Sequence, residues 1–431
     1  MKSARILLIE YLNLNGQHSK NMLTLISGTS IAQLIPVAIS PFLTRIYSPQ
    51  DFGILGLFIA ITSILGYVVN GRYELAIMLP DNDDDALNVL ALGLLISSVL
   101  SVFLFLFVVI FNEEMAGMLG NTAMSVWLYF APPVIFFLGT FYLLNIYNTR
   151  SRNYRTIASA NISKSVSMSS LQLGLGLLKG GELGLILGEV ISKGVVNISL
   201  LKKALMGKKW REIVSVKKMI LLAKRYHYFP KFSVIAGLAS ISSMYLANIF
   251  ISSFYSAAIL GFFFLGQRVL GMPISLIGAS IGQIFFEEAK REKLATGGAE
   301  NSFNQTFKKL LIIGLPVFVT LFFLIESLFV MFFGEDWRIA GVYAQIVLPL
   351  FFIRFVVGPL TLIAPLFEKQ QTDLFFQGGL LFLYLGTLFL CHLCEMEFTY
   401  YLRASTIILS LYYSGYFLIL SRIKHGKTLS F

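Results

Sequence analysis

Long apolar runs, interrupted by short polar turns, recur along the whole chain. A helix rises about 1.5 Å per residue, so about 20 apolar residues cross the roughly 30 Å of bilayer hydrocarbon. The charge-free run from Ala86 to Phe111 alone is long enough. Spans fit residues 22–45, 53–79, 86–111, 122–146, 157–178, 183–201, 231–253, 256–285, 310–333, 339–366, 374–393 and 398–420. The pattern predicts an all-α polytopic membrane protein, with about 12 transmembrane helices in two parallel six-helix lobes around a central cavity. A β-barrel would need short alternating strands, which these uniformly apolar runs are not.

The stretch from Lys202 to Lys231 is the longest that cannot span, and it holds ten Lys or Arg. It divides the chain into an N-lobe (1–202), a basic linker (203–229) and a C-lobe (230–431). Within it Trp210, Ile213, Val214 and Ile220 approximate one apolar helical face beside Lys209, Lys217 and Lys218. Such a helix is expected to lie on the anionic inner leaflet. A short repeat relates the lobes: Tyr47-Ser48-Pro49-Gln50-Asp51-Phe52-Gly53 is echoed 208 residues later by Tyr255-Ser256-Ala257-Ala258-Ile259-Leu260-Gly261. Both copies fall at the turn between the first and second spans of their lobe.

Composition agrees with the membrane assignment. A hydrophobic fraction of 56%, 13% charged residues and a mean hydropathy of +0.75 exclude an ordinary soluble domain. The net charge of +11 does not point to nucleic acid, because the basic residues alternate between loops. With the N-terminus inside, 25 of the 34 Lys and Arg fall on cytoplasmic segments, and six lie within spans. Three (Arg45, Lys179, Arg338) reach the outer face. That asymmetry puts both termini in the cytoplasm. Met1 to Lys20 carries no cleavable signal pattern, so insertion is expected to rely on the first span.

Charges at bilayer depth carry the candidate chemistry, since each costs about 2.5–3.5 kcal/mol on insertion scales. Arg72 and Glu74 sit inside span 2, Arg268 about midway along span 8, and Arg354 deep in span 10. Arg72 and Glu74 are two residues apart, so on a regular helix they would face different ways and leave each other uncompensated. Gln33 in span 1 and Arg45 at its end complete the expected cavity-lining set. Lys164 and Arg403 are expected to snorkel. Glu189 and Lys193, one turn apart, read as a self-satisfied pair. Ser159, Ser163, Ser167 and Ser170 form a stripe suited to close helix packing. Pro36 and Pro41 are tolerable in a membrane helix, and Pro132–Pro133 mark a kink or a helix start. Asp81, Asp83, Asp84 and Asp85 read as a solvated turn at a helix N-terminus. Cys391, His392 and Cys394 provide too few ligands for a metal site and read as a helix-end pair.

The stretch SGTSIAQLIPVAISPFLTRIYSPQDFG, followed by NGRYELAIMLPDNDDDA, resembles the Wzx-type oligosaccharide flippases of the multidrug/oligosaccharidyl-lipid/polysaccharide exporter superfamily. AKRYHYFPKFS, QRVLGMPISLIGASIGQIFFEEA and, more faintly, LFEKQQTDL resemble later blocks of the same family. The resemblance implies transfer of an undecaprenyl-diphosphate-linked oligosaccharide from the inner to the outer leaflet of the bacterial cytoplasmic membrane, for surface polysaccharide such as O-antigen. It implies no cofactor and no catalysis. The partners it implies are membrane lipids and other polysaccharide-assembly proteins. Arg72, Glu74 and Arg268 fall in the matching blocks; Arg354 lies outside them. Fixed arginines suit a lipid diphosphate because they give charge-assisted, often bidentate, bonds.

Two other readings compete. A cation-coupled multidrug exporter of the same superfamily would favour acidic residues at depth, whereas those here are mostly basic. A membrane polysaccharide polymerase or glycosyltransferase would need a catalytic constellation on a long outer loop. The outer loops are short, and the acidic pairs Glu113–Glu114 and Glu335–Asp336 have no such loop behind them.

Overall fold

The computed structural model describes residues 17–178, 180–206 and 210–425, so Lys179 and Lys209 lie outside the described residues. Its long helices are α1 (Gln17–Leu43), α2 (Pro49–Gly66), α3 (Asp83–Met118), α4 (Ala131–Arg150), α5 (Tyr154–Leu177) and α6 (Glu182–Leu205). They continue as α7 (Val234–Phe254), α8 (Ala257–Thr296), α9 (Glu300–Phe333), α10 (Arg338–Val357), α11 (Gln370–Leu393) and α12 (Phe398–Ile423). Ten membrane-length apolar segments are built from these described helices. The other two, α4 and α5, are of comparable length but more polar. The polytopic all-α architecture expected from the sequence is therefore observed.

Local chemistry sets several boundaries. Pro132–Pro133 occupy the first turn of α4, where missing N–H groups cost nothing, so the pair marks a start rather than a kink. Pro36 and Pro41 both lie inside α1, and the Ser40 hydroxyl donates to the Pro36 carbonyl at 2.7 Å between them. The acidic turn behaves as expected: Asp83–Asp85 fill the first turn of α3, and Asn82 Oδ1 accepts from Asp85 N at 2.7 Å. Span 2 departs from expectation. The helix stops at Gly66 rather than near residue 79, and a tight turn leads into a 3₁₀ segment, Tyr73–Met78. Asn70-Gly71 is the cause, because both favour turn over helix and Gly71 takes a φ of 64°.

The chain packs into two compact units. Unit 1 holds the residues up to Ile46, Phe58–Met118 and Thr122–Leu238; unit 2 holds Tyr47–Leu57, Leu119–Asn121 and Ala239–Phe431. Leu87, Leu90, Leu143, Leu144 and Leu200 form the buried core of unit 1. The linker helix Val216–Arg225 joins that core through Met219 and Leu222. Its buried face is thus not the one read from the sequence: Trp210 and Ile220 stay exposed, while Ile213 and Val214 are partly buried. Tertiary packing chose the better-placed side chains, Met219 and Leu222. Asn88 fastens the linker by donating to Ile213 O at 3.1 Å and accepting from Ser215 N at 2.9 Å.

In unit 2 the core is built from Phe285, Phe303, Ile363, Tyr416 and Leu420. The 40 residues of α8 exceed any bilayer crossing, and its charged last turns return the chain to α9. There the Glu292 carboxylate caps α9, accepting from Asn301 N at 2.8 Å and Ser302 N at 2.7 Å. The serines at 48 and 256 cap α2 and α8 alike: Ser48 Oγ accepts from Asp51 N at 3.2 Å and Ser256 Oγ from Ile259 N at 3.1 Å. The two helix starts related by the sequence repeat therefore share one capping geometry. Cys391 and Cys394 are free thiols, and His392 stacks on Phe254 at 4.0 Å instead of joining them.

Candidate functional site

The Arg72 turn is the first charged feature of unit 1. Gly71 and Arg72 both have left-handed backbone, with φ values of 64° and 62°. For arginine that conformation costs about 1–2 kcal/mol, so surrounding contacts must hold it. Asn70 supplies two of them: its Oδ1 accepts from Arg72 N at 3.0 Å, and its Nδ2 donates to Gly139 O at 3.4 Å. The Arg72 guanidinium lies over the Tyr67 ring at 4.2 Å and meets Glu74 Oε1 at 2.7 Å. This corrects the expectation that Arg72 and Glu74 face apart. A regular helix would separate them, but the left-handed residue folds the chain back and brings them together. Glu74 is buried, with 3% exposure, so the pair sits largely out of water.

The linker docks on the same turn. Tyr73 OH donates to Ala223 O at 3.2 Å. Gly237, at the start of α7, passes so near Tyr67 that a Cβ there would stand 2.9 Å from the ring and 3.6 Å from Arg72 Nε.

A second charged group lies between α5 and α6. Lys193 and Glu189 pair at 2.6 Å as their spacing predicts. Lys164 does not snorkel away. It interacts electrostatically with both members of that pair and lies 5.9 Å from the Phe141 ring. It also lines a cavity of about 390 Å³ bounded by α1, α4 and α5, together with Gln33, Asn145 and Asn161. The sequence reading undervalued Lys164. The available signal was the run of Ser and Asn around it, too polar for a lipid-facing helix. That same polarity bears on the serine stripe: Ser159, Ser163 and Ser170 are exposed, while Ser165 and Ser169 are the buried ones. Packing therefore uses the other face of α5.

The remaining expected residues are dispersed. Arg45 is exposed just beyond α1 in unit 1. Arg268 is half-buried on α8 in unit 2, and α8 packs against α10. Arg354 on α10 has an exposed side chain, with its guanidinium 5.4 Å from the Phe351 ring. It lies in the last turn of α10, within an apolar membrane-length segment that continues through a short 3₁₀ stretch to Leu366. Within unit 1 the structure thus joins Arg72 with Glu74, and Gln33 with Lys164.

A family model described as polysaccharide biosynthesis protein matches residues 42–341 of the 431. The chain belongs to this polysaccharide biosynthesis protein family. The match includes Arg45, Arg72, Glu74, Lys164 and Arg268 but ends before Arg354. No curated protein matches the sequence. Among solved structures, the fold of this family member resembles the lipid II flippase MurJ in an inward closed conformation, with a TM-score of 0.68 at 13% identity over 91% of this chain and 90% of that one. It also resembles an inward-facing multidrug resistance MATE transporter of the MOP superfamily, with a TM-score of 0.63 at 15% identity over 93% and 95%. A MOP superfamily transporter from Pyrococcus furiosus, described as having a binding pocket of reversed polarity, gives 0.58 at 15% identity over 95% and 97%. These likenesses establish the MOP-type helical fold for this member of the polysaccharide family.

Proposed function

We propose that this chain is a flippase moving an undecaprenyl-diphosphate-linked oligosaccharide across the bacterial inner membrane, for assembly of surface polysaccharide such as O-antigen. Both termini are cytoplasmic in this reading. Arg72 and Arg268 meet the diphosphate, Gln33, Arg45, Glu74 and Arg354 line the path of the substrate, and the lipid tail stays in the bilayer. The cycle exposes the charged groups alternately to the two membrane faces.

One observation carries the reading: in a member of the polysaccharide biosynthesis family, an arginine is held in a strained, largely dry turn beside an aromatic ring and a carboxylate. A buried ion pair is weak as a stabiliser, because desolvation offsets most of its attraction. Retaining one at a strained backbone position is better explained by a task. Glu74 then acts as a resting counter-ion that an incoming diphosphate displaces, exchanging one charge-assisted bond for another. The carboxylate would keep the guanidinium oriented between cycles.

The cation-coupled exporter has only the fold in its favour, and the mostly basic charges in this chain's helices suit an anion better.

Reconstitution tests the reading. Liposomes containing the chain and an undecaprenyl-diphosphate oligosaccharide should gain lectin-accessible sugar on the far leaflet, compared with empty liposomes. Equal accessibility with and without the protein would contradict it.

A further inference from the structure

The cavity between α1, α4 and α5 has a composition that the diphosphate does not explain. Its polar groups are mainly amides and hydroxyls: Gln33, Asn145 and Asn161, with Thr29 nearby. Asn145 Oδ1 is buried with no hydrogen-bond partner among the described residues. Its main-chain carbonyl accepts from the Thr149 hydroxyl at 2.8 Å, which ties the α4 wall of the cavity together. Side-chain amides offer donor and acceptor together, which matches neighbouring hydroxyls on a sugar ring. Phe141 adds an aromatic face to the same wall. At about 390 Å³ the space is near the lower end of the roughly 300–1,000 Å³ of small-molecule sites. It suits a short saccharide segment rather than a whole repeat unit.

Charge narrows the ligand. Glu189 is engaged by Lys193 at 2.6 Å, so with both lysines protonated the cluster of Lys164, Glu189 and Lys193 sums to one positive charge. Lys164 is its member on the cavity wall. Lys164 is half-buried in that wall, where an ammonium is best met by an anion.

We propose that this cavity is a saccharide subsite for a sugar residue bearing a carboxylate, with the amides reading ring hydroxyls and Lys164 meeting the acidic substituent. The inference rests on the flippase reading and names the class of glycan carried.

Direct binding to the purified full-length chain tests it, using an acidic uronic-acid disaccharide, its carboxyl-reduced neutral counterpart and inorganic pyrophosphate. The acidic disaccharide should bind about tenfold more tightly than the neutral one, the size of one favourable charged contact. Lys164→Gln should abolish that preference, Lys164→Arg should keep most of it, and Asn145→Leu should weaken both sugars. Preference unchanged in Lys164→Gln would overturn the proposal. So would competition by pyrophosphate at this site without an acidic-sugar advantage, which would assign the cavity to the diphosphate. These outcomes are separate from loss of glycan export in Arg268 variants, on which the flippase reading depends.

Discussion

Gly53 and Gly261 meet in a reciprocal backbone contact: a Cβ on Gly53 would overlap the Ala257 carbonyl, and one on Gly261 would overlap the carbonyl of Pro49. The positions pair across the sequence repeat, since 53 corresponds to 261 and 49 to 257. Self-complementary contact of this kind is what a two-fold relation produces. The glycine that the two copies share therefore has a steric reason. The approach leaves no room for a side chain.

Alanine at either glycine should destabilise the protein by about 1–3 kcal/mol or more, because the backbone must shift to admit the methyl group. Gly174→Ala and Gly386→Ala serve as controls, since nothing stands within 4 Å of a Cβ at either. In a helix interior that change is neutral or stabilising by about 0.4–1 kcal/mol. Thermal unfolding in detergent should separate the two groups. Equal melting temperatures for all four variants would remove the steric account.

The Glu189–Lys193 pair is expected to be structural. Changing either residue alone leaves a buried charge exposed to hydrocarbon or protein, at about 3–5 kcal/mol. The double variant Glu189→Gln/Lys193→Met should accumulate better in membranes than either single one and should retain transport. Abolished transport in a well-folded double variant would instead assign the pair to ion coupling.

At the Arg72 turn the corrected geometry changes what mutation does. Arg72→Ala strands Glu74 and should lower membrane levels, whereas Arg72→Gln/Glu74→Gln removes both charges and should fold. Tyr73→Phe loses only the bond to Ala223 O, about 1 kcal/mol, and should loosen the linker without changing charge. Protease sensitivity of the linker reads this directly. A linker equally resistant in Tyr73→Phe and parent would show that the hydroxyl contributes nothing to docking.

The basic asymmetry predicts a cytoplasmic linker. In a background with Cys391 and Cys394 replaced, Lys218→Cys on the exposed face of the linker should resist an impermeant thiol reagent applied outside intact cells. Glu114→Cys, also exposed, should react. The reverse pattern would invert the assignment.

Much of this was legible in the sequence because bilayer length and charge are coarse, strong signals. The all-α polytopic type and the Glu189–Lys193 pair follow from one-dimensional spacing, whereas Pro132–Pro133 read only as a kink or a helix start. The Arg72–Glu74 contact does not, because it depends on a left-handed arginine after Asn70-Gly71, and helical geometry was the wrong ruler there. Lys164 was missed for a different reason. Whether a lysine reaches water or turns inward depends on neighbours supplied by α1, α4 and α6, which are far away in sequence. The linker's buried face shifted for the same cause: two apolar faces were available on Val216–Arg225, and the core of unit 1 selected the one carrying Met219 and Leu222.

The central claim is that Arg72 and Arg268 handle the diphosphate of a lipid-linked glycan. The most direct measurement is restoration of surface glycan in a flippase-deficient strain by Arg268→Ala and by Arg72→Gln/Glu74→Gln, with membrane levels determined for each variant. Both should reach the membrane at parental levels and fail to restore full-length glycan. If both are present at parental levels and restore glycan as well as the parent chain, the cationic-site account is wrong.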